Sequence, residues 1–253
     1  MSFSEYPQAP DIETATMDYR ERFSGDVGKW FLEIQSDCTR KILSERSELT
    51  GGSLNVLDVG GGHGQNVAPI LGEGHKLTIV GSNEECGNLV RDVDSPDFSF
   101  VTGSMLDLPF DDASFDLVLS YRMMAHIGDW RQFAKELARI SKGWVAVDYP
   151  TSRSVNALSS AFYVSKKRIE GNTREYRLFS EPHFRRGMQE AGLYLRRRYP
   201  QFLFPMAVHR AMGSKGLSAT LESLPRLLQL TRLFGSPVIA AFEKSEGRER
   251  SGQ

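Results

Sequence analysis

Cysteine is scarce in this sequence of 253 residues: only Cys38 and Cys86 are present. Two cysteines cannot build the disulfide framework of a small secreted domain, and these two lack the paired spacing of a zinc site. Asp107, Asp111 and Asp112 are close together, but they fall on a predicted solvent-exposed turn. We therefore expect no structural disulfide, no metal centre and a cytoplasmic location.

Long apolar runs are absent as well. No stretch approaches the roughly 20 residues that cross a bilayer, and residues 1–22 contain acids and prolines where a signal peptide needs an apolar run. Hydrophobic residues make up 40% of the chain and charged residues 25%, which excludes a disordered or collagen-like protein. We expect one globular domain over residues 1–253 without a transmembrane segment, and peripheral membrane contact stays open.

The net charge of −1 conceals two parts of opposite sign. Residues 1–150 hold 13 basic and 24 acidic side chains, whereas residues 151–253 hold 18 basic and 8 acidic ones. A local excess of one sign attracts ligands of the other sign. The C-terminal part is therefore expected either to meet an anionic molecule or surface, or to pack against the acidic part.

Short, β-branched apolar runs recur between segments of helical length. Most are too continuously apolar to have a face in water, and strands buried on both faces are typical of a parallel sheet covered by helices. The predicted strands are residues 54–59, 77–80, 98–101, 115–121 and 144–149, followed by 193–204 and 236–243. The pattern predicts the α/β class.

The predicted helices divide the domain into regions. They cover residues 19–49, 65–71, 84–92, 130–141 and 217–233, with a further helix after Ser180. Residues 1–50 are expected to form a helical cover and residues 51–150 the core. Residues 151–180 form a basic insert that interrupts the alternation, residues 181–243 supply further helices and strands, and residues 244–253 form a disordered tail.

A glycine-rich loop follows the first predicted strand. The segment VLDVGGGHGQ, residues 56–65, places Asp58 ahead of Gly60, Gly62 and Gly64. A dinucleotide-binding fingerprint needs Gly-x-Gly-x-x-Gly and a P-loop ends in Gly-Lys-Ser/Thr, so neither is present. Glycines allow a sharp turn and the close approach of a ligand, although a plain tight turn would also use them. A cationic nucleoside without a pyrophosphate suits this loop.

With this loop the chain resembles the class I S-adenosylmethionine-dependent methyltransferases. The resemblance continues through IVGSNEEC and TGSMLDLPFDDASFDLVLS and covers residues 54–149. It implies a Rossmann-like three-layer α/β/α sandwich with a mostly parallel seven-stranded sheet and an antiparallel last strand. It also implies S-adenosylmethionine as cofactor and S-adenosylhomocysteine as product.

The resemblance assigns residues to the cofactor. Asn83 stands where the family has an acid that holds the ribose hydroxyls, and Ser104 stands where the family has an acid beside the adenine. Met105 is expected on the adenine face. The implied cofactor-binding set is Asp58, Gly60, Gly62, Asn83, Ser104, Met105 and Ser120.

The acceptor is expected beyond the carboxyl ends of the strands. His126 follows the fourth strand and could act as a general base or only hold its loop. Asp148 and Tyr149 end the fifth strand, where they either contact the acceptor or hold the loop before Pro150. The predicted substrate-binding set is Tyr121, Arg122, Asp148, Tyr149, Asn172 and Arg174.

Three functional hypotheses follow. The first is methyl transfer, with oxygen as the expected acceptor atom, on a small-molecule acceptor that is anionic or linked to lipid. The second is a catalytically silent member of the same fold that binds the cofactor or a partner. The third is a nucleic-acid methyltransferase, which the basic C-terminal part suggests. No Asn/Asp-Pro-Pro-Tyr/Phe motif that would hold a flipped base follows the fourth strand, so no nucleic acid is expected.

Overall fold

A computed structural model of the chain describes residues 8–154 and 176–245. Within these residues a seven-stranded sheet has the order β3-β2-β1-β4-β5-β7-β6. The strands are β1 Asn55–Val59, β2 Lys76–Gly81, β3 Phe98–Thr102, β4 Phe115–Ser120, β5 Ser141–Tyr149, β6 Leu193–Pro200 and β7 Val238–Lys244. Strands β1 to β5 pair in parallel, and β7 is antiparallel to both β5 and β6. The predicted Rossmann-like sheet is confirmed, including its antiparallel last strand.

Helices cover both faces of the sheet. They are α1 Asp11–Thr14, α2 Met17–Glu21, α3 Gly25–Thr50, α4 Val67–Gly72, α5 Trp130–Ile140, α6 Glu181–Glu190, α7 Met206–Met212, α8 Lys215–Leu227 and α9 Leu230–Phe234. One apolar cluster packs α5 and α6 against the sheet, and a second packs α3 and α4 against the opposite face. The central strands are buried on both sides, which explains why they read as continuous apolar runs.

The structure corrects four predicted elements. Residues 84–92 form only a 3-10 turn, Glu84–Gly87, and Gly87 packs so closely against the Phe100 ring that a side chain there would collide with it. The predicted helix 19–49 breaks where Gly25 has a φ of +67°, and the helix 217–233 breaks at Gln229 with a φ of 60°. The predicted strand 193–204 ends at Pro200.

Among the described residues, no helix combines the length and the apolar character that crossing a bilayer requires.

Candidate functional site

The glycine loop lies at the carboxyl end of β1, near the middle of the sheet. Gly60 has a φ of +76°, and its N–H donates to the carbonyl of Val80 at the end of β2, at 2.9 Å. A Cβ at Gly60 would lie 2.6 Å from Sδ of Met123. Both the backbone conformation and the side chain above the loop therefore demand glycine here.

The next two glycines are enclosed by protein atoms. A Cβ at Gly61 would lie 2.2 Å from Oδ2 of Asp58, and one at Gly62 would lie 2.0 Å from the carbonyl oxygen of Cys86. The loop backbone thus runs directly between the end of β1 and the 3-10 turn after β2. Glycines at both positions therefore allow the loop backbone to pack directly against the Asp58 side chain and the Cys86 carbonyl.

Asp58 is fully buried beneath this loop. Its Oδ2 accepts a hydrogen bond from Nδ2 of Asn66 at 2.9 Å, whereas its Oδ1 has no hydrogen-bond partner among the described residues. Burial raises the pKa of the Asp58 carboxyl to about 7, although the Asn66 amide and the charge of Arg122 oppose the shift. Burying a carboxylate oxygen without a hydrogen-bond donor costs free energy, and a ligand that donates a hydrogen bond to this oxygen would reduce that cost.

Asn83 follows β2, as the sequence predicted for the ribose side. Its side-chain oxygen accepts from the backbone N–H of Cys86 at 3.0 Å and caps the 3-10 turn. The Asn83 amide therefore has a structural partner on its acceptor atom, and its predicted contact with ribose stays a prediction.

Sequence reasoning missed Asp11, which lies at the same end of β2. Asp11 is fully buried on α1, and its Oδ2 accepts from the backbone N–H of Ser82 at 2.7 Å. Its Oδ1 has no hydrogen-bond partner among the described residues. Burial, together with the nearby Asp11 carboxylate, raises the pKa of the Cys86 thiol to about 12. The sequence carries no local signal for this placement, because the contact spans 71 residues.

The remaining predicted cofactor residues surround the loop. Ser104 is half-buried after β3, and its Oγ accepts from the N–H of Leu106 at 3.3 Å. Met105 is fully buried in the cluster on the α5 side. Ser120 is also buried, and its Oγ donates to the carbonyl of Val59 at 3.0 Å, which ties the ends of β4 and β1 together.

Arg122 occupies the centre of the carboxyl edge. It has a φ of 67°, and its backbone N–H donates to Oδ1 of Asp148 at the end of β5. Its guanidinium donates to the side-chain oxygens of Gln65 and Gln35 and lies 4.3 Å from the centroid of the Phe23 ring. A left-handed conformation is unfavourable for arginine, so the surrounding contacts hold this residue in place.

The Asp148 carboxyl is held in place by the backbone N–H of Arg122, which donates to its Oδ1. Burial raises the pKa of the Asp148 carboxyl to about 6, against the opposing effect of Arg122. A fully buried carboxylate near the end of β1 and a half-buried one near the end of β5 thus both interact with the Arg122 cation.

The two predicted tyrosines are buried. The Tyr121 hydroxyl is hydrogen-bonded to Oγ1 of Thr39 on α3 at 3.2 Å, and the Tyr149 hydroxyl donates to Oε2 of Glu181 at 2.6 Å. Burial raises the pKa of both phenols well above the usual value. These contacts link the strand ends to α3 and α6, and a role of either tyrosine toward an acceptor stays a prediction.

His126 lies in the loop between β4 and α5 and is half-buried. Its ring centroid is 5.5 Å from that of Tyr176, and its backbone N–H donates to the carbonyl of Met123. The position is beside the strand ends, as predicted. Asn172 and Arg174 fall outside the described residues.

Three arginines converge beside the loop. Arg22 and Arg122 lie 5.3 and 5.8 Å from the centroid of the Tyr19 ring, and Arg210 lies 5.9 Å from the centroid of Phe23. We call these three residues the arginine cluster. Burial and the charges of Arg22 and Arg122 lower the pKa of Arg210. Within the described part of the chain Arg22 and Arg210 form no ion pair with a carboxylate, whereas the charge of Arg122 acts on the carboxylates of Asp58 and Asp148.

Phe202 and His209, after β6, belong to the core. Phe202 packs with Trp30 and Phe31, and His209 is fully buried against the same rings. Nε2 of His209 lies 3.1 Å from Oε1 of Glu222, whose carboxylate also accepts from the backbone N–H groups of Leu203 and Phe204. Glu222 therefore turns the chain after β6, which explains why the predicted strand ends early.

Comparison with known proteins agrees with this geometry. Residues 57–146 match the family model described as "Methyltransferase domain". Over 93 residues the chain is 37% identical to the "Probable tocopherol O-methyltransferase, chloroplastic" of Oryza sativa subsp. japonica, a match that covers 34% of this chain. The match spans 26% of that relative's length.

Two solved structures share the fold over most of the chain. The magnesium protoporphyrin IX methyltransferase ChlM of Synechocystis PCC 6803, with bound S-adenosylhomocysteine, has a TM-score of 0.60 at 14% identity, covering 92% of this chain and 97% of that chain. The 1,6-didemethyltoxoflavin-N1-methyltransferase of Burkholderia thailandensis has a TM-score of 0.51 at 16% identity, covering 80% of this chain and 76% of that chain.

Proposed function

We propose that this chain, whose residues 57–146 form a methyltransferase domain of the class I fold, transfers a methyl group from S-adenosylmethionine to a small-molecule acceptor. The observation that carries the proposal is the glycine loop above Asp58. Three consecutive glycines bring the backbone against a fully buried carboxylate that keeps one oxygen without a donor. When bound, S-adenosylmethionine supplies a methyl group on a positively charged sulfur, and S-adenosylhomocysteine is the product.

The buried polar atoms at this edge fit such a cofactor. Asp58 and the loop at Gly60 and Gly62 would face the methionine part, whose amino group and positive charge suit a carboxylate. Asn83 and Asp11, both at the end of β2, would hold the ribose hydroxyls. Asn83 stands where the family has an acid, and Asp11 would supply the carboxylate that Asn83 lacks. Ser104 and Met105 would flank the adenine.

We place the acceptor-binding region between the arginine cluster and the carboxyl ends of β4 and β5. The guanidinium groups of Arg22 and Arg210, which form no ion pair in the described part of the chain, suit an acceptor that carries a carboxylate or a phosphate. The rings of Tyr19 and Phe23, whose centroids lie 5.6 Å apart with their planes inclined at 52°, suit an apolar part beside that anion. We therefore assign an anionic, partly apolar acceptor, methylated at oxygen.

His126 is the proposed general base for the acceptor hydroxyl, since it lies in the loop after β4 at the same edge. We expect His126→Ala to lower kcat by about 100-fold and to leave the affinity for S-adenosylhomocysteine within a few-fold. Single-turnover rates and calorimetry measure the two effects. An unchanged rate would assign His126 to holding its loop.

Two measurements test the proposed function. Calorimetry should show binding of S-adenosylmethionine and S-adenosylhomocysteine, with NAD and ATP as ligands that should not bind. Release of S-adenosylhomocysteine is then followed over a panel of hydroxylated carboxylates, phosphates and lipid-linked phenols. Absence of cofactor binding would refute the proposal, whereas binding without turnover over the whole panel would favour the catalytically silent alternative.

A further inference from the structure

Helix α8 presents an apolar stripe to solvent. Leu217, Leu224 and Leu228 are exposed for 57, 60 and 57% of their surface, and Leu221 between them is half-buried. Their spacing of four, three and four residues places the four leucines on one side of a helix. Leu227, at 77%, is exposed beside this stripe.

The side of α8 that faces the protein is polar instead. Its buried residues are Ser218, Glu222 and Pro225. Glu222 holds the turn after β6 by accepting hydrogen bonds from the backbone N–H groups of Leu203 and Phe204. A helix on a globular protein normally buries its apolar stripe, and α8 does the reverse.

The apolar surface continues onto α9. Leu233 is exposed for 58% and Phe234 for 41% of its surface. We define the leucine face as the six exposed large apolar residues of this region: Leu217, Leu224, Leu227, Leu228, Leu233 and Phe234. An exposed apolar surface of this kind marks a place where the protein meets another molecule or a membrane.

The exposed charged side chains within residues 206–236 all have one sign. From residue 206 to residue 236 the exposed charged side chains are Arg210, Lys215, Arg226 and Arg232, and the single acid, Glu222, is buried. Lys215 forms an ion pair with Glu33, whereas Arg232 is exposed in the last turn of α9, which also contains Leu233 and Phe234. A face that combines leucine and phenylalanine with basic residues is typical of helices that lie on anionic lipid.

A second copy of the chain fits this face less well. Two such faces packed against each other would bring arginines of like charge together without exposed acids from the same region to pair with them. An anionic lipid surface offers both the apolar layer and the negative charge.

We propose that the leucine face docks this protein on an anionic membrane surface. The inference rests on exposed residues of α8 and α9 and does not depend on methyl transfer. If the chain is also a methyltransferase, docking would bring its carboxyl edge to acceptors that reside in lipid.

Cosedimentation with vesicles tests the docking. The whole protein is mixed with vesicles of phosphatidylcholine alone or of phosphatidylcholine mixed with phosphatidylglycerol. We expect binding to the anionic vesicles, weaker binding to the neutral ones, and a decline as salt rises. Leu224→Ser/Leu228→Ser should weaken binding by about tenfold or more, and Arg232→Glu by several-fold.

The matched control is Leu49→Ser/Tyr194→Ser, which changes two large residues exposed for 58 and 51% on other surfaces. It should bind as the unchanged protein does, and thermal unfolding should show that all variants remain folded. The proposal is wrong if the unchanged protein binds neither vesicle or if the control loses as much affinity as the α8 variant. It is equally wrong if light scattering shows a dimer that Leu224→Ser/Leu228→Ser dissociates while no vesicle binding is seen.

Discussion

Asp58 combines complete burial with a carboxylate oxygen that has no donor, and this combination can be tested with an isosteric change. In Asp58→Asn the hydrogen bond from Asn66 can be kept, but the negative charge is lost. We expect affinity for S-adenosylhomocysteine to fall by about tenfold, because hydrogen bonds to charged groups are stronger than neutral ones. The melting temperature of the ligand-free protein should hold or rise, since no charge is then buried.

Calorimetry and thermal unfolding give the two results. Asp116→Asn is the control, because Asp116 lies at the opposite end of the sheet, where it accepts from the N–H of Asn55. If Asp58→Asn kept its affinity and lost stability, Asp58 would serve only the fold.

The same carboxyl predicts a pH dependence of stability. Burial raises the pKa values of Asp58 and Asp148 from 3.8 to about 7 and about 6. For each group, at pH values between the ordinary pKa and the raised pKa, the folded protein binds more protons than the unfolded chain. In that range these groups make the free energy of unfolding fall as pH rises. Urea unfolding at about pH 5 and about pH 8 should show a smaller loss for Asp58→Asn than for the unchanged protein. An equal loss in both would exclude the shift at Asp58.

At the scale of elements, α1 supplies a contact that joins the N-terminal cover to the sheet. Asp11→Asn can still accept from the N–H of Ser82, but it removes the charge proposed to meet the ribose hydroxyls. We expect affinity for S-adenosylhomocysteine to fall several-fold and Asn83→Asp, added to this variant, to restore much of it. Asn83→Asp alone should preserve or only slightly tighten binding. The new carboxylate would form charge-assisted hydrogen bonds with the ribose hydroxyls, but repulsion from the neighbouring Asp11 carboxylate would limit the gain.

The discriminating ligand is an S-adenosylhomocysteine analogue without ribose hydroxyls. Calorimetry should show that Asp11→Asn leaves its affinity unchanged. An equal loss for both ligands would mean that Asp11 only anchors α1.

The elements differ in how far their sequence could predict them. Strands β1, β2, β4 and β5 and the loop at Gly60 were predictable, because burial on both faces and close backbone approach leave local patterns. The end of β6 at Pro200 was not, since it depends on Glu222 from a distant helix. Asp11 escaped prediction for the same reason.

At the scale of the whole molecule, part of the charge polarity is neutralised within the fold. Arg196 and Arg197 pair with Glu45, and Lys215 pairs with Glu33, so basic residues of the C-terminal part meet acids of the N-terminal part. These contacts support the interpretation that the two parts pack against each other. They do not involve the arginine cluster.

Reversing the charge of the arginine cluster tests whether it selects the acceptor. In Arg22→Glu/Arg210→Glu both changes fall on exposed side chains, so the core beneath Phe23 should remain folded. We expect KM for an anionic acceptor from the release panel to rise about tenfold or more, and the effect to shrink as salt rises. Affinity for S-adenosylhomocysteine should stay within a few-fold.

Arg91→Glu is the control, since Arg91 is exposed and donates to Asn88 away from the cluster. If KM rose as much in Arg91→Glu as in Arg22→Glu/Arg210→Glu, the effect would come from the overall charge of the protein rather than from the arginine cluster. If Arg22→Glu/Arg210→Glu weakened the binding of S-adenosylhomocysteine as strongly as the binding of the acceptor, the cluster would hold the cofactor's own carboxylate. The acceptor would then have to be recognised elsewhere at the ends of β4 and β5, where Asp148 would disfavour an anion.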